Sequence, residues 1–296
     1  MKFSLALRLF TSLLAFAFSA KLAHGFFGAN AGISHLTQST YHAQVMDTEQ
    51  TTVVMYYAPW CGYCQKMKPD FATASRKLKG IVKFAAVNCD EEKQVCAEAG
   101  VQGFPVVKGY YTNAKSKKRI TIEYQGDRTA QSLVSFGQDR IPNFVKNIRS
   151  TPTAAGPSIT LDKFYSLENS TLPKIVVVKP ASRAQKPTSS LLKALAIDYH
   201  YRLLIGEATG ASDDDAVYTD FGGKAPAPKA MPDVYAVIPG QAEAVKYTGE
   251  IKQKPLREFF DRFALKKKIR PSRKKGKAAK KVEEQKAKLG NVRDEL

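Results

Sequence analysis

Cysteine is scarce in this sequence: the 296 residues contain four, and the last is Cys96. A chain with so few cysteines is not held together by a disulfide framework, so its cores must form by apolar packing. Histidine is equally scarce, and the four scattered residues (His24, His35, His42, His200) are given no catalytic role. After residue 25, no run approaches the ~20 apolar residues that a transmembrane helix requires, so no membrane span is expected.

Acidic residues are the second deficit. There are 27 Asp and Glu against 46 Lys and Arg, a formal net charge of +19. Residues 266–296 alone carry 13 basic and 4 acidic residues, a net of +9, and almost no large apolar side chains. That composition predicts a basic disordered tail. Two interpretations stay open, a tail that binds acidic partners and a solvated spacer.

The two ends of the chain predict a cellular address. Residues 1–25 begin with basic residues, run apolar from Leu9 to Ala20 and end on small residues, which is the pattern of a secretory signal peptide. Residues 293–296 read Arg-Asp-Glu-Leu, a close variant of the endoplasmic reticulum retrieval signal. Together they predict a resident of the endoplasmic reticulum lumen, which excludes nucleic acid as a partner of the basic charge.

Cys61 and Cys64 form the most informative motif. They follow residues 52–57, which read as a buried strand, and precede residues 65–79, which have helical apolar spacing. Two thiols at a strand-to-helix turn form the redox constellation of a thioredoxin-like fold. One thiolate attacks a substrate disulfide, and the other resolves the mixed disulfide. The alternatives are a structural disulfide and half a zinc site. Zinc is disfavoured because a second Cys-x-x-Cys or His pair is missing.

Strands and helices alternate through residues 30–150, the predicted catalytic domain. The pattern ends in a hairpin and a helix predicted over residues 130–149, with Thr129 as its N-cap. This order is typical of an α/β fold in which a central mixed sheet carries helices on both faces.

A second domain of the same kind is predicted after a linker. Residues 151–157 are rich in Thr, Pro, Ala and Gly, and residues 158–265 then repeat the strand and helix order without cysteine. Met231-Pro232 precedes a strand here, as Phe104-Pro105 does in the first domain. The chain is therefore predicted to hold two tandem thioredoxin-like domains, only the first of which carries thiols.

The motif resembles the active site of a known family. Residues 58–64 read Ala-Pro-Trp-Cys-Gly-Tyr-Cys and resemble the Ala-Pro-Trp-Cys-Gly-His-Cys site of the protein disulfide-isomerase family. Residues 103–105 and 124–129 resemble two further motifs of that family. The resemblance covers residues 1–150 and the C-terminal tetrapeptide, and the most similar type is a small, fungal-like luminal member with one catalytic domain.

The resemblance implies a role for each matching residue. Cys61 is the nucleophile, as its place at a helix N-terminus also suggests, because unpaired backbone N–H groups there stabilise a thiolate. Cys64 is the resolving thiol, and Arg128 assists it by lowering its pKa. Pro105 is expected to be cis and to pair with a substrate backbone. The residues expected to contact substrate are Trp60, Gly62, Tyr63, Phe104 and Pro105. Neither a metal nor an organic cofactor is implied.

Three residues depart from the family pattern. Tyr63 replaces the family's His, and Met55 and Thr73 stand where the family has a buried Glu and its Lys partner. A protein loses less stability when both members of a buried ion pair are absent than when one is, because a single remaining charge would be buried without a partner. Without the Glu, proton transfer from Cys64 needs water or another group. We therefore expect slower resolution, longer-lived mixed disulfides and a more reducing couple.

Cys89 and Cys96 are either a structural disulfide or a second redox pair. The structural alternative is favoured, because no helix N-terminus clearly activates either thiol and the acidic residues 90–92 disfavour a thiolate nearby. Asn169 begins an Asn-Ser-Thr glycosylation sequon, which is either used or silent.

The sequence therefore predicts a luminal thiol–disulfide oxidoreductase and isomerase. Its expected partners are unfolded or misoxidised secretory proteins, together with an endoplasmic reticulum oxidase or an acidic chaperone. The alternative function is a non-catalytic chaperone or adaptor that binds clients or an acidic chaperone.

Overall fold

The computed structural model describes residues 26–150, 158–167, 171–183, 185–210, 216–221, 231–241 and 243–266. The chain divides between Pro142 and Asn143 into two compact units, each with a five-stranded sheet in its described part. The predicted signal peptide and linker, Asn169 and Ser170 of the glycosylation sequon, and the basic tail after Lys266 lie outside the described residues. Within them, no helix is long and apolar enough to cross a membrane.

The first unit alternates strands and helices. Its strands are β1 Ile33–His35, β2 Thr52–Tyr57, β3 Lys83–Asn88, β4 Val106–Thr112 and β5 Arg119–Glu123. Its α-helices are α1 Gln38–Tyr41, α2 Gly62–Lys77, α3 Lys93–Glu98 and α4 Ala130–Gln138. A short 3-10 helix at Ala29–Ala31 precedes β1, and a π-helix at His42–Met46 continues α1.

The sheet of the first unit is mixed, as predicted. Its order is β1-β3-β2-β4-β5, with β1 and β2 parallel to β3, and β4 antiparallel to both β2 and β5. All six residues of β2 are buried, because the strand is central and both of its faces are covered. On one face, Val54 and Tyr56 pack with Cys96 of α3. On the other, Phe71 of α2 meets Phe84 of β3, with ring centroids 5.1 Å apart.

Three buried tyrosines form a closed hydrogen-bonded ring beneath this sheet. The hydroxyl oxygens of Tyr41 and Tyr56 are 2.8 Å apart, those of Tyr56 and Tyr110 are 2.6 Å apart, and Tyr41 donates to Tyr110 at 3.0 Å. Each hydroxyl can donate once and accept once, so the ring satisfies three polar groups inside an apolar cluster. Burial raises the pKa of Tyr56 and of Tyr110 far above the usual range, which keeps both hydroxyls neutral.

The second unit has the same topology. Its strands are β6 Lys146–Ile148, β7 Lys174–Val178, β8 Leu204–Ala208, β9 Asp233–Val237 and β10 Val245–Lys246. Its α-helices are α5 Leu161–Ser166, α6 Ser190–Asp198, α7 Ala216–Thr219 and α8 Gln253–Asp261, and Ala181–Arg183 forms a short 3-10 helix. The sheet order is β6-β8-β7-β9-β10. The strands β6 and β7 are parallel to β8, and β9 is antiparallel to β7, as for the corresponding strands of the first unit. The prediction of tandem thioredoxin-like folds is confirmed.

The predicted helix over residues 130–149 is wrong at its carboxyl end. Thr129 caps it as predicted, since its Oγ1 accepts from the N–H of Ser132 at 3.3 Å, but the helix ends at Gln138. Pro142 follows shortly after, and a residue that precedes proline is disfavoured in helical conformation. The predicted first domain of residues 30–150 is correspondingly too long.

The segment taken for the end of that helix contributes a strand to the second unit. Residues 146–148 form β6, which pairs in parallel with β8. Gly206 of β8 makes this packing possible, because an added Cβ there would lie 2.5 Å from Ile148 and 2.8 Å from Phe164. A three-residue strand is too short to show a periodicity, and β1 escaped prediction for the same reason.

A disulfide joins Cys89, which follows β3, to Cys96 of α3, with the Cα atoms 5.7 Å apart. Both cysteines are buried in the cluster that contains Tyr41 and Val95. The bond closes a short loop, whose entropic constraint on the unfolded chain is worth about 2–3 kcal/mol.

Tyr110→Phe is expected to lower the free energy of unfolding by about 2 kcal/mol. The change leaves two ring hydroxyls joined by one bond, with an unsatisfied donor and acceptor in an apolar core. Urea unfolding measures the loss. Tyr111→Phe, on the adjacent residue outside the ring, is the matched control, and an equal loss in both variants would contradict the role of the ring.

Replacing both Cys89 and Cys96 by Ala is expected to lower the free energy of unfolding by roughly 2–3 kcal/mol. The rate of thiol exchange at Cys61 should stay unchanged, because the two pairs are separate. Urea unfolding and single-turnover exchange measure the two effects. A large drop in exchange rate with intact stability would instead identify Cys89 and Cys96 as a second redox pair.

Candidate active site

The two thiols lie at the junction between β2 and α2. Cys61 is the N-cap of α2, and its Sγ accepts a hydrogen bond from the backbone N–H of Cys64 at 3.3 Å. Both residues are unbonded thiols. Cys61 keeps 7% of its surface exposed and Cys64 none, so a substrate sulfur reaches Cys61 first.

The predicted inner face of α2 anchors this turn. Met67, Phe71, Ala74 and Leu78 are all buried, as their helical spacing predicts. The helix therefore has a fixed rotation about its axis. Because Cys64 lies on the same buried stripe, that rotation buries its thiol completely, whereas the N-cap residue Cys61 stays slightly exposed.

Phe104 and Pro105 lie opposite Cys61. The peptide bond between them is cis, and β4 begins directly afterwards. The Cys61 thiol donates to the carbonyl oxygen of Phe104, with an Sγ–O distance of 3.6 Å. The antiparallel pairing of β4 with β2 brings this loop to the thiols, since Val106 lies opposite Tyr56.

Aromatic side chains flank the thiols at the surface. Trp60 is 73% exposed and Tyr63 is 65% exposed, which is unusual for side chains of this size. Trp60 meets the ring of Phe104 edge to face, with centroids 6.1 Å apart. A Cβ added at Gly62 would meet nothing within 4 Å, so the surface between the two thiols is open. The site thus offers apolar contact area around an accessible sulfur.

Cys64 is held as a thiol. Burial, followed by the hydrogen bond and the negative charge of Cys61, raises its pKa to about 12. A hydrogen bond from the Ala58 backbone and the positive charge of Arg128 lower the pKa and so oppose this effect. The structure therefore places Arg128 where its charge favours the Cys64 thiolate.

Arg128 is positioned through Tyr63. Its guanidinium carbon lies 5.6 Å from the centroid of the Tyr63 ring, and Nζ of Lys66 lies 5.8 Å from the same centroid. Both distances fall within the range of a cation–π contact. Tyr63 thus brings two positive charges to the rim of the site, at the position where the family has an imidazole.

Met55 and Thr73 stand where the family has a buried Glu and its Lys partner, and they form no equivalent ion pair with each other. Met55 is completely buried in β2. Thr73 is half-buried in α2, and its Oγ1 accepts from the guanidinium of Arg76 at 2.9 Å. Neither side chain has an acid or base that could accept a proton from Cys64.

Sequence reasoning missed Tyr57, the last residue of β2. Burial, followed by the charges of Glu91 and Cys64, raises the pKa of Tyr57 to about 12, and a backbone hydrogen bond from Phe26 opposes this rise. The effect of Cys64 shows that the hydroxyl lies within electrostatic reach of the resolving thiol. The signal that could have identified Tyr57 was its position immediately before the Ala-Pro-Trp run.

Three further candidate residues are Cys89, Cys96 and Asn169. Cys89 and Cys96 are joined to each other, and Asn169 falls outside the described residues. Among the residues that the structure describes, no group of three or more His, Cys, Asp or Glu side chains could hold a metal ion.

Comparison with known proteins agrees with this geometry. The thioredoxin family model matches residues 32–139. A putative protein disulfide-isomerase of Dictyostelium discoideum is 34% identical over 186 residues, which cover 62% of this chain and 42% of that protein. Protein disulfide-isomerase MPD1 of Saccharomyces cerevisiae is 31% identical over 191 residues, which cover 60% of this chain and 56% of that protein.

The chain thus spans about half the length of these curated relatives. Among solved structures, the Trx4 domain of ERdj5 is 31% identical, and the match covers 36% of this chain and 91% of that domain with a TM-score of 0.34. Residues 32–139 are a thioredoxin domain, and the chain is similar over part of its length to proteins named protein disulfide-isomerase.

Proposed function

We propose that this protein is a thiol–disulfide oxidoreductase and isomerase that acts on polypeptide disulfides. One observation carries the proposal: an accessible thiol caps a helix, and a buried thiol lies one turn along. Cys61 is reachable, and Cys64 contacts it through a 3.3 Å hydrogen bond. This arrangement separates the attacking sulfur from the resolving sulfur.

The exchange proceeds in two displacements. The Cys61 thiolate attacks one sulfur of a substrate disulfide, so that a Cys61–substrate bond forms and the other substrate sulfur leaves as a thiolate. Cys64 then loses its proton and attacks Cys61 Sγ, which releases the second substrate thiolate. The substrate disulfide is reduced and the Cys61–Cys64 pair is oxidised; the reverse sequence oxidises a substrate dithiol. Isomerisation results when a substrate thiol, rather than Cys64, displaces Cys61.

The surroundings of Cys61 suit an extended polypeptide. The Phe104–Pro105 segment lies beside the sulfur and would pair with a substrate backbone, while Trp60 and Tyr63 would contact its side chains. Arg128 would promote resolution by favouring the Cys64 thiolate.

We place the reaction in the endoplasmic reticulum lumen. The apolar pattern of residues 1–25 and the Arg-Asp-Glu-Leu tetrapeptide support this address. The proposed substrates are unfolded or misoxidised secretory proteins. An oxidase of that compartment would recharge the dithiol, and an acidic chaperone would match the positive charge of the chain.

A second candidate function is a non-catalytic chaperone or adaptor. It is favoured by the buried apolar side chain of Met55, which leaves Cys64 without a proton acceptor at that position. Under this alternative, a protein that carries both Cys61→Ser and Cys64→Ser would still suppress aggregation of unfolded clients and would sustain cellular function.

Cys61→Ser is expected to abolish reactivation of scrambled ribonuclease in a glutathione buffer, because the attacking sulfur is lost. Cys64→Ser should retain part of the activity and accumulate mixed disulfides that dithiothreitol releases. Reactivation and non-reducing electrophoresis measure the two effects. Full activity of Cys61→Ser, or an inactive intact chain with a reducible Cys61–Cys64 bond, would reject isomerase function.

Arg128→Gln is expected to slow release of the mixed disulfide by about threefold, because removing a nearby positive charge raises the pKa of Cys64. With that pKa about 12 in the intact chain, the Cys64 thiolate fraction rises roughly tenfold per pH unit below it. The release rate should therefore increase with pH, and the curve of release rate against pH for Arg128→Gln should be shifted to higher pH.

Stopped-flow measurement of release tests this, with Lys115→Gln in the β4–β5 hairpin as the control. Superimposable profiles for the intact chain and Arg128→Gln would contradict the role of Arg128.

A further inference from the structure

The segment that begins at Phe26 packs against the end of β2 in the first unit. Tyr57, the last residue of β2, is buried, and its ring stacks on that of Phe26 with centroids 4.2 Å apart. The backbone N–H of Phe26 donates a hydrogen bond to the Tyr57 hydroxyl. The ring of Phe27 meets Tyr57 and Phe71 of α2, with centroid distances of 6.1 Å and 5.7 Å. These contacts fix the Phe26 nitrogen at a buried phenol.

Tyr57 lies on the same face of the sheet as the resolving thiol. Side chains alternate along a strand, so Tyr57 shares a face with Met55, and the shared contacts of Phe27 place that face against α2. Cys64 belongs to the buried stripe of α2. The backbone N–H of Ala58, which follows Tyr57 in the chain, hydrogen-bonds to the Cys64 sulfur. The Tyr57 hydroxyl is therefore the phenol nearest in the chain to the sulfur that must lose a proton, and it lies within that sulfur's electrostatic reach.

Release of a mixed disulfide needs a group that accepts the Cys64 proton. Cys61 is bonded to substrate at that stage, and the side chains of Met55 and Thr73 have no basic group. A neutral tyrosine hydroxyl can only relay a proton, because it must donate one as it accepts another. A base that titrates near the working pH is therefore required on the far side of Tyr57.

Removal of the predicted signal peptide would turn the Phe26 nitrogen into such a base. Residues 1–25 have the signal-peptide pattern, so Phe26 is expected to be the first residue of the mature chain. Its nitrogen would then be an α-amine rather than an amide. An amide nitrogen is not basic near neutral pH, whereas an α-amine titrates at about 7.7–8.0. The contact that now joins Tyr57 to an amide would then join it to a general base.

Charged groups of opposite sign face this pair. Nζ of Lys68, on α2, lies 5.0 Å from the centroid of the Phe26 ring, and its charge disfavours an ammonium group there. The carboxylate of Glu91, which follows β3, acts on Tyr57 and favours the ammonium. The neutral and the protonated amine are thus both accessible around neutral pH. Three further titratable or charged groups nearby are Cys64, Arg128 and His35.

We propose that the α-amine of Phe26 in the mature chain accepts the proton of Cys64, relayed by the Tyr57 hydroxyl, when Cys64 resolves the mixed disulfide. The thiol proton passes to the phenol oxygen as the phenol proton passes to the amine, which becomes an ammonium. The Cys64 thiolate then bonds to Cys61 Sγ, the bond from Cys61 to the substrate sulfur breaks, and that sulfur leaves as a thiolate. The ammonium afterwards loses its proton to solvent. This inference rests on the proposed exchange activity and on the predicted signal peptide.

The rate at which a preformed mixed disulfide between Cys61 and a peptide releases its peptide tests the proposal. The full mature chain begins at Phe26 and carries either a free amine or an acetyl group on that amine alone. Near neutral pH the acetylated chain should release the peptide about tenfold more slowly, because it has lost a general base. With a free amine, the rate should rise with pH and level off above about pH 8, where the amine is neutral. In the acetylated chain the rise should continue. Stopped-flow measurement across this pH range gives both curves.

Tyr57→Phe tests the relay, because it keeps the ring that stacks on Phe26 and removes only the hydroxyl. It should slow release about tenfold in the chain with a free amine and should not slow the acetylated chain further, since relay and base act as one unit. Tyr111→Phe, in β4, is the matched control and should leave both curves unchanged. Thermal unfolding verifies that each variant folds.

A mature chain extended by Gly-Ser-Gly before Phe26 controls for charge, because it keeps an amine but moves it away from Tyr57. It should behave as the acetylated chain does. Superimposable curves for the free and acetylated chains, or additive losses in Tyr57→Phe, would overturn the proposal and leave the exchange function intact. N-terminal sequencing after passage through a secretory pathway should give Phe26 first, and another first residue would also overturn it. A mature chain that forms no mixed disulfide would reject the exchange function together with this inference.

Discussion

The hydrogen bond from the backbone N–H of Cys64 to Cys61 Sγ is the contact on which the site depends. It begins α2 at Cys61, so the two sulfurs lie one helical turn apart. The buried stripe of α2 then decides which sulfur is hidden, because the helix can pack on the sheet with only one face. The small exposure of Cys61 and the complete burial of Cys64 follow from a helix cap and an amphipathic helix together. No other feature of the site is needed to explain why the two thiols differ in burial.

The scaffold that presents this turn occurs twice, with different residues at the helix cap. In both units a parallel pair of strands and an antiparallel neighbour bring a proline-led strand opposite a capped helix. In the first unit the cap is Cys61, and in the second it is Ser189. The fold therefore supplies the position, and the residue at the cap decides whether thiol exchange is chemically possible there. The paired Lys179 and Glu207 show how the second unit neutralises a buried charge.

Sequence patterns predicted elements wherever a pattern was long enough to show a period. The residues of β2 and the inner face of α2 were predicted correctly, because both are continuous and strongly apolar. The two short strands β1 and β6 were missed, since each has three residues and gains its hydrogen bonds from a partner distant in sequence. The helix predicted through residue 149 failed because the apolar side chains of Ile141, Phe144, Val145 and Ile148 are spaced in a way that suits a strand as well as a helix. Tyr57 and the tyrosine ring escaped notice because spacing along the chain does not show which hydroxyls meet.

The sequence by itself determined the pair of thiols, the turn that carries them and the repetition of one topology, because those depend on residues close together in the chain. Only the tertiary structure decided what surrounds them. It paired Cys89 with Cys96, set the Phe104 carbonyl beside Cys61 and brought Arg128 to Tyr63 and Cys64. Each of these relations connects separate elements, and their proximity is fixed by strand pairing and helix packing rather than by local spacing.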